Sequence, residues 1–219
     1  MKTARDRRDS RWDTHREQRR VELVAATITA VRRHGAGVGM DDIAAEAGTS
    51  KTAVYRHFRD RTGLYVAVCG TVAKVLVGQI RKATDREFGA SGRGPRFALS
   101  EGIDAYLRLI ESDREVYLFV VHRPLLDPAV HAADPVTDLV AMIGDHVAGV
   151  IAKQFRRNGH DDPARARSWG HGLVGLVRGA ADDWITRPDG TTRDELTARL
   201  TDLAWAGLAG PAPSPEVTA

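Results

Sequence analysis

Apolar side chains in this chain return every three or four residues, and clear helix stops and starts interrupt the returns. Leu23, Thr27, Ala30 and Val31 share one face, joined by Val24 and Ile28, the spacing of an amphipathic helix. Thr14-x-x-Glu17 has the form of a capping box, so this helix is expected to start at Thr14 and to stop near His34, before Gly35. Residues 1–13 then form a basic, flexible arm outside it. Two short helices follow at about 40–47 and 51–57, parted by Gly48-Thr49-Ser50. A long helix is expected from Arg61 to Phe88, with apolar positions Leu64, Val68, Val72, Val75 and Leu76.

The Gly/Pro-rich segment 89–95 is the clearest internal break. Beyond it, 97–111 carries Ile103, Tyr106, Leu107 and Ile110, and 114–122 is a short apolar run ended by Pro124. Asp134-Pro135 and Asp162-Pro163 each place a cap before a proline at the first helical position. They open helices that reach Arg156-Arg157 and about Arg187. A second capping box, Thr192-x-x-Glu195, opens a last helix to about Ala209, and the tail from 211 is expected to be disordered. No strand-like alternation or repeat appears, so the predicted fold is all-α, with roughly nine helices.

Composition narrows the class. With 42% hydrophobic and 28% charged residues in 219, the chain can bury a core and is not a disordered polyelectrolyte. No run approaches the length of uninterrupted apolar sequence that spans a bilayer, and the N-terminus has no apolar leader. Cys69 is the single cysteine, which excludes an internal disulfide and a cysteine-rich zinc site. The expected location is the cytoplasm. Charge is unevenly placed: residues 1–66 carry 14 Lys/Arg against 9 Asp/Glu, and the remainder 18 against 20. The N-terminal part is therefore the candidate for a polyanionic partner.

The segment 40–58, MDDIAAEAGTSKTAVYRHF, concentrates that candidacy. A helix-turn-helix needs a small residue in its first helix, a tight turn and a branched apolar residue in its second helix. Ala44, Gly48 and Val54 supply them, with Ile43 and Ala47 adding to the same small core. Ser50 is a natural N-cap for the second helix. Lys51, Thr52 and Ala53 then occupy the turn that meets base edges in a major groove. Tyr55, Arg56 and His57 lie one turn on, within reach of phosphates, and Arg59 and Arg61 extend the basic surface.

With these spacings the chain resembles the TetR family of transcriptional regulators from Thr14 to about Val68. The resemblance rests on Thr14, Arg16, Ala26, Gly35, Asp42-Ile43-Ala44, Ala47-Gly48, Ser50, Val54-Tyr55-Arg56-His57-Phe58, Arg61, Leu64 and Tyr65. It implies that Tyr55 and His57 meet phosphates, that Phe58 is core, and that Arg61 meets the DNA backbone. It also implies domains at 14–66 for DNA binding and 67–210 for effector binding and dimerisation. The fold class is thus all-α, a three-helix N-terminal helix-turn-helix domain joined by a long helix to a helical ligand-binding and dimerisation domain. The function implied is a nucleoid-associated homodimer, a repressor on a palindromic double-stranded DNA operator that a small hydrophobic effector releases. Thr49 stands where the family often has Val, and Gly39-Met40 offers a weaker cap than the usual Thr or Ser.

The C-terminal part carries further candidates. Ser168, Gly172, Gly175 and Gly179 form a small-residue stripe that would let a second helix approach, with Leu196, Leu200 and Leu203 as partners in a dimer. Tyr106, Ile110, Tyr117 and Trp169 are candidates for an effector pocket, against the plainer reading of core packing. Arg5, Arg7, Arg8 and Arg11 could enter a minor groove, or remain a solvated tail diluted by Asp6, Asp9 and Asp13. His122, His131, His146 and His171 lack the spacing of a helical zinc site, so no metal or cofactor is expected. No nucleophile–base pair or phosphate-cradling loop is evident, so no catalytic residue is assigned. The alternative function is a helical enzyme, or a ligand-binding protein that has lost its DNA role.

Overall fold

A computed structural model describes residues 4–89, 94–122 and 135–208, and all nine elements among them are α-helices. They are α1 (Ala4–His34), α2 (Met40–Glu46), α3 (Lys51–Phe58), α4 (Arg61–Gly89), α5 (Pro95–Ser112), α6 (Arg114–His122), α7 (Pro135–Arg157), α8 (Pro163–Thr186) and α9 (Arg193–Leu208). The tail from 211 lies outside the described residues.

One sequence expectation fails at the start. Helix α1 begins at Ala4, so Thr14 lies within it and the flexible arm of residues 1–13 is largely helix. The reason is the absence of a stop: no glycine or proline occurs before Gly35, and a capping box cannot begin a helix that is already running. Thr192 succeeds where Thr14 does not. Its backbone amide and hydroxyl both reach Glu195 Oε2, at 2.9 and 3.0 Å, and Glu195 N donates to the Thr192 hydroxyl at 3.3 Å. Asp162 likewise caps α8, accepting from Arg165 N at 2.9 Å with Pro163 in the first turn.

The helices group into two compact units. The first comprises Met1–Val75 with Ser112–Leu139, the second Leu76–Glu111 with Val140–Ala219. The beginning of α4 belongs with the helices before it, and α6 joins them from farther down the chain.

The core of the first unit holds Leu23, Val24, Thr27, Ala30 and Val31 of α1, Ile43 and Ala44 of α2, and Val54 and Phe58 of α3. Leu64, Tyr65, Val68 and Cys69 of α4 and Phe119 of α6 complete it. Buried Thr27 satisfies its hydroxyl on the Leu23 carbonyl at 2.8 Å. Tyr65 donates to the Val120 carbonyl at 2.5 Å and lies 5.8 Å, centroid to centroid, from Phe119. Arg32 grips Asp113 through two nitrogens, and Glu115 accepts from Ala36 N at 3.0 Å, so α6 is held to the end of α1. From Arg61 to Ala83, α4 is long and apolar enough to cross a membrane. Burial of Leu64, Tyr65, Val68 and Cys69 accounts for that character as core packing.

In the second unit Arg193 of α9 bridges Asp104 at 2.9 Å and Glu111 at 2.6 Å, both on α5. Helices α7 and α8 cross closely at two glycines. A Cβ at Gly170 would stand 2.5 Å from Ala148 N, and one at Gly144 would stand 2.6 Å from His171 Nδ1. The predicted stripe is not used here, because a Cβ at Gly172, Gly175 or Gly179 would meet nothing within 4 Å. Gly170→Ala is therefore expected to force α7 and α8 apart and to destabilise the protein by about 1–3 kcal/mol, read as a lowered Tm. An unchanged Tm would show that this crossing yields without loss.

Candidate nucleic-acid interface

Helices of seven and eight residues do not form alone in water, so α2 and α3 owe their shape to what holds their ends and inner faces. Between them Gly48 takes φ +60°, a conformation that a side chain disfavours. The turn closes through Gly48 N to Ala45 O at 3.0 Å and Thr49 N to Ala44 O at 2.9 Å. Ser50 caps α3, its hydroxyl accepting from Ala53 N at 3.2 Å. Ile43, Ala44, Val54 and Phe58 are buried, and Ala47 is half-buried beside the exposed Gly48 and Ser50. Gly39 caps α2 without a side-chain bond, as its sequence suggests, and Asp41 and Asp42 in the first turn offset this by complementing the helix dipole.

The outer face of α3 carries the predicted residues. Lys51, Thr52 and Arg56 are exposed, as is Arg61 at the start of α4, while Ala53, Tyr55 and His57 are half-buried. Lys51 is not free, since its ammonium lies 2.7 Å from the Asp41 carboxylate of α2. Nδ1 of His57 is buried with no hydrogen-bond partner. Burial first, then the charges of Arg16, Arg19, Arg20 and His15, push the His57 pKa below the ordinary imidazole value. The ring is neutral at pH 7 and sits among cations from α1.

Two supports went unread in the sequence. Arg20 of α1 donates to the His57 carbonyl and lies over the Phe58 ring, 4.6 Å from its centroid. One side chain thus satisfies a terminal carbonyl of α3 and covers its last core aromatic. The signal was present, because Arg20 precedes Leu23, Val24 and Thr27 at helical spacing and so falls on the core face. The second support is the corner after α3. Arg59 adopts φ 68° and ψ −50°, with Asp60 N bonded to Phe58 O at 2.8 Å, a strained γ-turn. Asp60 then caps α4 on Gly63 N at 2.7 Å. A Cβ at Gly63 would collide with the Phe58 carbonyl oxygen, so glycine alone permits this corner. A glycine in the first turn of an otherwise unbroken helix was the available clue.

The remaining candidates fall elsewhere. Ser168, Gly172, Gly175 and Gly179 form an exposed face of α8, with Leu176 exposed beside them. On α9, Leu203 is 60% exposed whereas Leu200 is 6% exposed. Leu200 is therefore corrected from interface to protomer core, since it lies on the inner face of α9, and Leu196 is half-buried. Of the pocket candidates, Tyr117 belongs to the first unit and Tyr106, Ile110 and Trp169 to the second. Ile110 is core, and Trp169 packs edge-on against Phe155 at 5.4 Å, with Arg165 over its ring at 5.7 Å. These contacts favour the plainer reading of packing for Ile110 and Trp169. His171 pairs with Asp145 at 3.0 Å, and among the described residues no group of three or more potential metal ligands is found.

Gly63→Ala is expected to destabilise the fold by about 1–3 kcal/mol and to displace α3, weakening duplex binding beyond what the lowered Tm explains. Thermal melts paired with duplex titrations at a temperature where the variant is fully folded check this. Wild-type affinity in that folded variant would show that the corner does not set the position of α3.

Comparison with known proteins accords with this geometry. Residues 23–68 match the model for bacterial regulatory proteins of the tetR family, and residues 79–218 match that for the tetracyclin repressor-like C-terminal domain. An HTH-type transcriptional regulator of Mycobacterium tuberculosis is 32% identical over 207 residues, 94% of this chain and 83% of the relative. The HTH-type transcriptional activator FasR of Mycolicibacterium smegmatis is 29% identical over 195 residues, 88% of this chain and 84% of its own length. The structure of FadR from Bacillus subtilis in complex with stearoyl-CoA covers 85% of this chain and 98% of that one, with a TM-score of 0.67 at 11% identity, a likeness of fold. With a short capped helix pair in its N-terminal part, family models matched over residues 23–68 and 79–218, and a relative similar along nearly its whole length, the chain belongs to the TetR family of DNA-binding transcriptional regulators and is not an enzyme.

Proposed function

We propose that this chain is a cytoplasmic, nucleoid-associated repressor that binds a palindromic operator as a homodimer and is released by a small hydrophobic effector. The observation that carries the DNA half is the outer face of α3, where Lys51, Thr52 and Arg56 are exposed on a helix fixed at its beginning by Ser50 and at its end by Arg20. Lys51, Thr52 and Ala53 read base edges, while Tyr55, Arg56, His57 and Arg61 grip phosphates.

The dimer face is the exposed stripe Ser168, Gly172, Gly175 and Gly179 with Leu176 and Leu203. Glycine in a helix interior costs roughly 1 kcal/mol against alanine, so three glycines facing open space in one protomer point to a partner that needs the room. Two such protomers present their recognition helices to half-sites about one turn of DNA apart. The effector reading rests on the apolar content of the C-terminal helices and on a fold that carries stearoyl-CoA in the Bacillus subtilis regulator. An effector acts only through unequal affinity for the DNA-competent and DNA-incompetent states. A second reading, activation, is favoured by the name of FasR.

The test is fluorescence-anisotropy binding to the gene's own upstream DNA and to a scrambled duplex, with long-chain acyl-CoA added. Sequence-dependent binding by a dimer, lost on adding ligand, supports the proposal. Tyr55→Ala should weaken both duplexes, and Lys51→Ala should alter the preference between them. Unchanged affinity in Tyr55→Ala would sink the assigned interface, and binding tightened by ligand would favour the activating reading.

Asp41→Asn should release Lys51 and remove a carboxylate from the contact face. Binding to either duplex is expected to tighten at low salt, with the slope of log affinity on log salt steeper by about 0.9 for each phosphate that Lys51 newly meets. A slope and affinity equal to wild type would show that the Lys51–Asp41 pair does not compete with DNA.

A further inference from the structure

We propose that Arg165 and Asp183 of α8 set the register of the homodimer and choose its partner, each pairing with the other on a second copy of the chain. The inference deepens the dimer reading and rests on it.

Arg165 and Asp183 are eighteen residues apart, five whole turns at about 3.6 residues per turn, so they stand on one line along α8. That line borders the exposed stripe Ser168, Gly172, Gly175 and Gly179, where a Cβ on any of the three glycines would meet nothing within 4 Å. Midway between the two charges is Val174. Midway between Gly172 and Gly175, and equally between Ser168 and Gly179, is the Leu173–Val174 peptide bond. The two centres agree to within about 1 Å along the axis. A two-fold axis through this point, with the α8 helices antiparallel, sets Gly172 on Gly175 and Ser168 on Gly179 of the second copy. The same axis keeps each flank beside its own image, so Arg165 meets Asp183 of the second copy, and Asp183 meets its Arg165.

Other arrangements lose this match. Parallel helices in register would set Arg165 on Arg165 and Asp183 on Asp183. A slip of one turn carries each pair about 5.4 Å apart. In the antiparallel register Leu176, exposed on the same flank, falls between Trp169 and Gly172 of the second copy. Within the protomer both charges have only local partners. Arg165 lies 3.2 Å from Asp162, and Asp183 pairs with Arg187, contacts between near neighbours on the helix surface that exchange readily. On the opposite flank Arg167 and Arg178 keep carboxylates of their own, Asp145 at 2.8 Å and Asp182 at 3.8 Å, so that side carries little net charge. Because one chain bears both signs, a copy matches itself, while a relative with a like charge at either position is repelled.

The experiment introduces Arg165→Asp and Asp183→Arg singly and together into the full chain and measures dimerisation by sedimentation equilibrium. Each single reversal creates a like-charge contact at both symmetric positions and is expected to weaken dimerisation about tenfold. The double variant restores opposite charges and should return to wild-type affinity. The two single variants, one carrying a mass tag, are then mixed and examined by native mass spectrometry. They should give more heterodimer than random exchange allows, because only the mixed pair brings opposite charges together. Wild-type dimerisation by either single variant overturns the proposal. So does weakening that the double variant or the mixture fails to recover. In those cases a dimer of the unaltered chain leaves the dimer face standing and removes only this register. An unaltered chain that stays monomeric would instead overturn the dimer reading, and this proposal with it.

Discussion

An eight-residue helix cannot maintain itself in water, and the face proposed here to read DNA is carried by one. The molecule meets that constraint by building α3 into its surroundings at three points. Ser50 satisfies an amide at its beginning, Val54 and Phe58 bury its inner face, and Arg20 closes its end. The corner that follows is then forced: Arg59 is strained, Asp60 caps the next helix, and Gly63 makes room for the Phe58 carbonyl. Strain at Arg59 persists only because packing on both sides over-determines it. The face bearing Lys51, Thr52 and Arg56 is held in place because the helix bearing it has almost no stability of its own and takes its shape from its neighbours.

Sequence reading succeeded where a local rule fixed the outcome and failed where a rule needed knowledge of its neighbours. Asp162-Pro163 and Thr192-x-x-Glu195 begin helices as expected, each after a genuine stop. Thr14-x-x-Glu17 has the same letters but follows a segment that nothing interrupts, so the helix simply continues through it. The helix-turn-helix residues were legible because their demands are steric and local: a small residue, a positive φ, a branched apolar. Arg20 and Gly63 were missed because their roles depend on a helix boundary that lies far along the chain or one turn away. Small residues behave in the same way. The close crossing of α7 and α8 uses Gly170 and Gly144, while the more regular run Gly172, Gly175 and Gly179 is left open within the protomer. Periodicity marks a face but does not say what covers it.

The aromatic and aliphatic candidates for a ligand site show the harder limit. A residue that lines a cavity and one that fills a core have the same chemistry and the same spacing. Ile110 is packed into its own unit, Trp169 has protein neighbours on its ring, and Tyr117 is grouped with the DNA-binding helices. Nothing in the one-dimensional pattern separates these fates.

The placement of α6 has a consequence for how such proteins can be recombined. The unit containing the helix-turn-helix is discontinuous. Tyr65 donates its phenol to Val120, its ring meets Phe119, and the end of α1 is pinned by Asp113 and Glu115, all from a segment that follows α5. A fragment cut after the third or fourth helix would leave those surfaces bare. Exchanging the N-terminal part with a relative would pair one protein's Tyr65 with another's Phe119. Hybrid regulators built on this scaffold thus need to carry α6 along with the DNA-reading helices, or to match its inner face. The modularity suggested by the linear order of the chain is narrower than it looks.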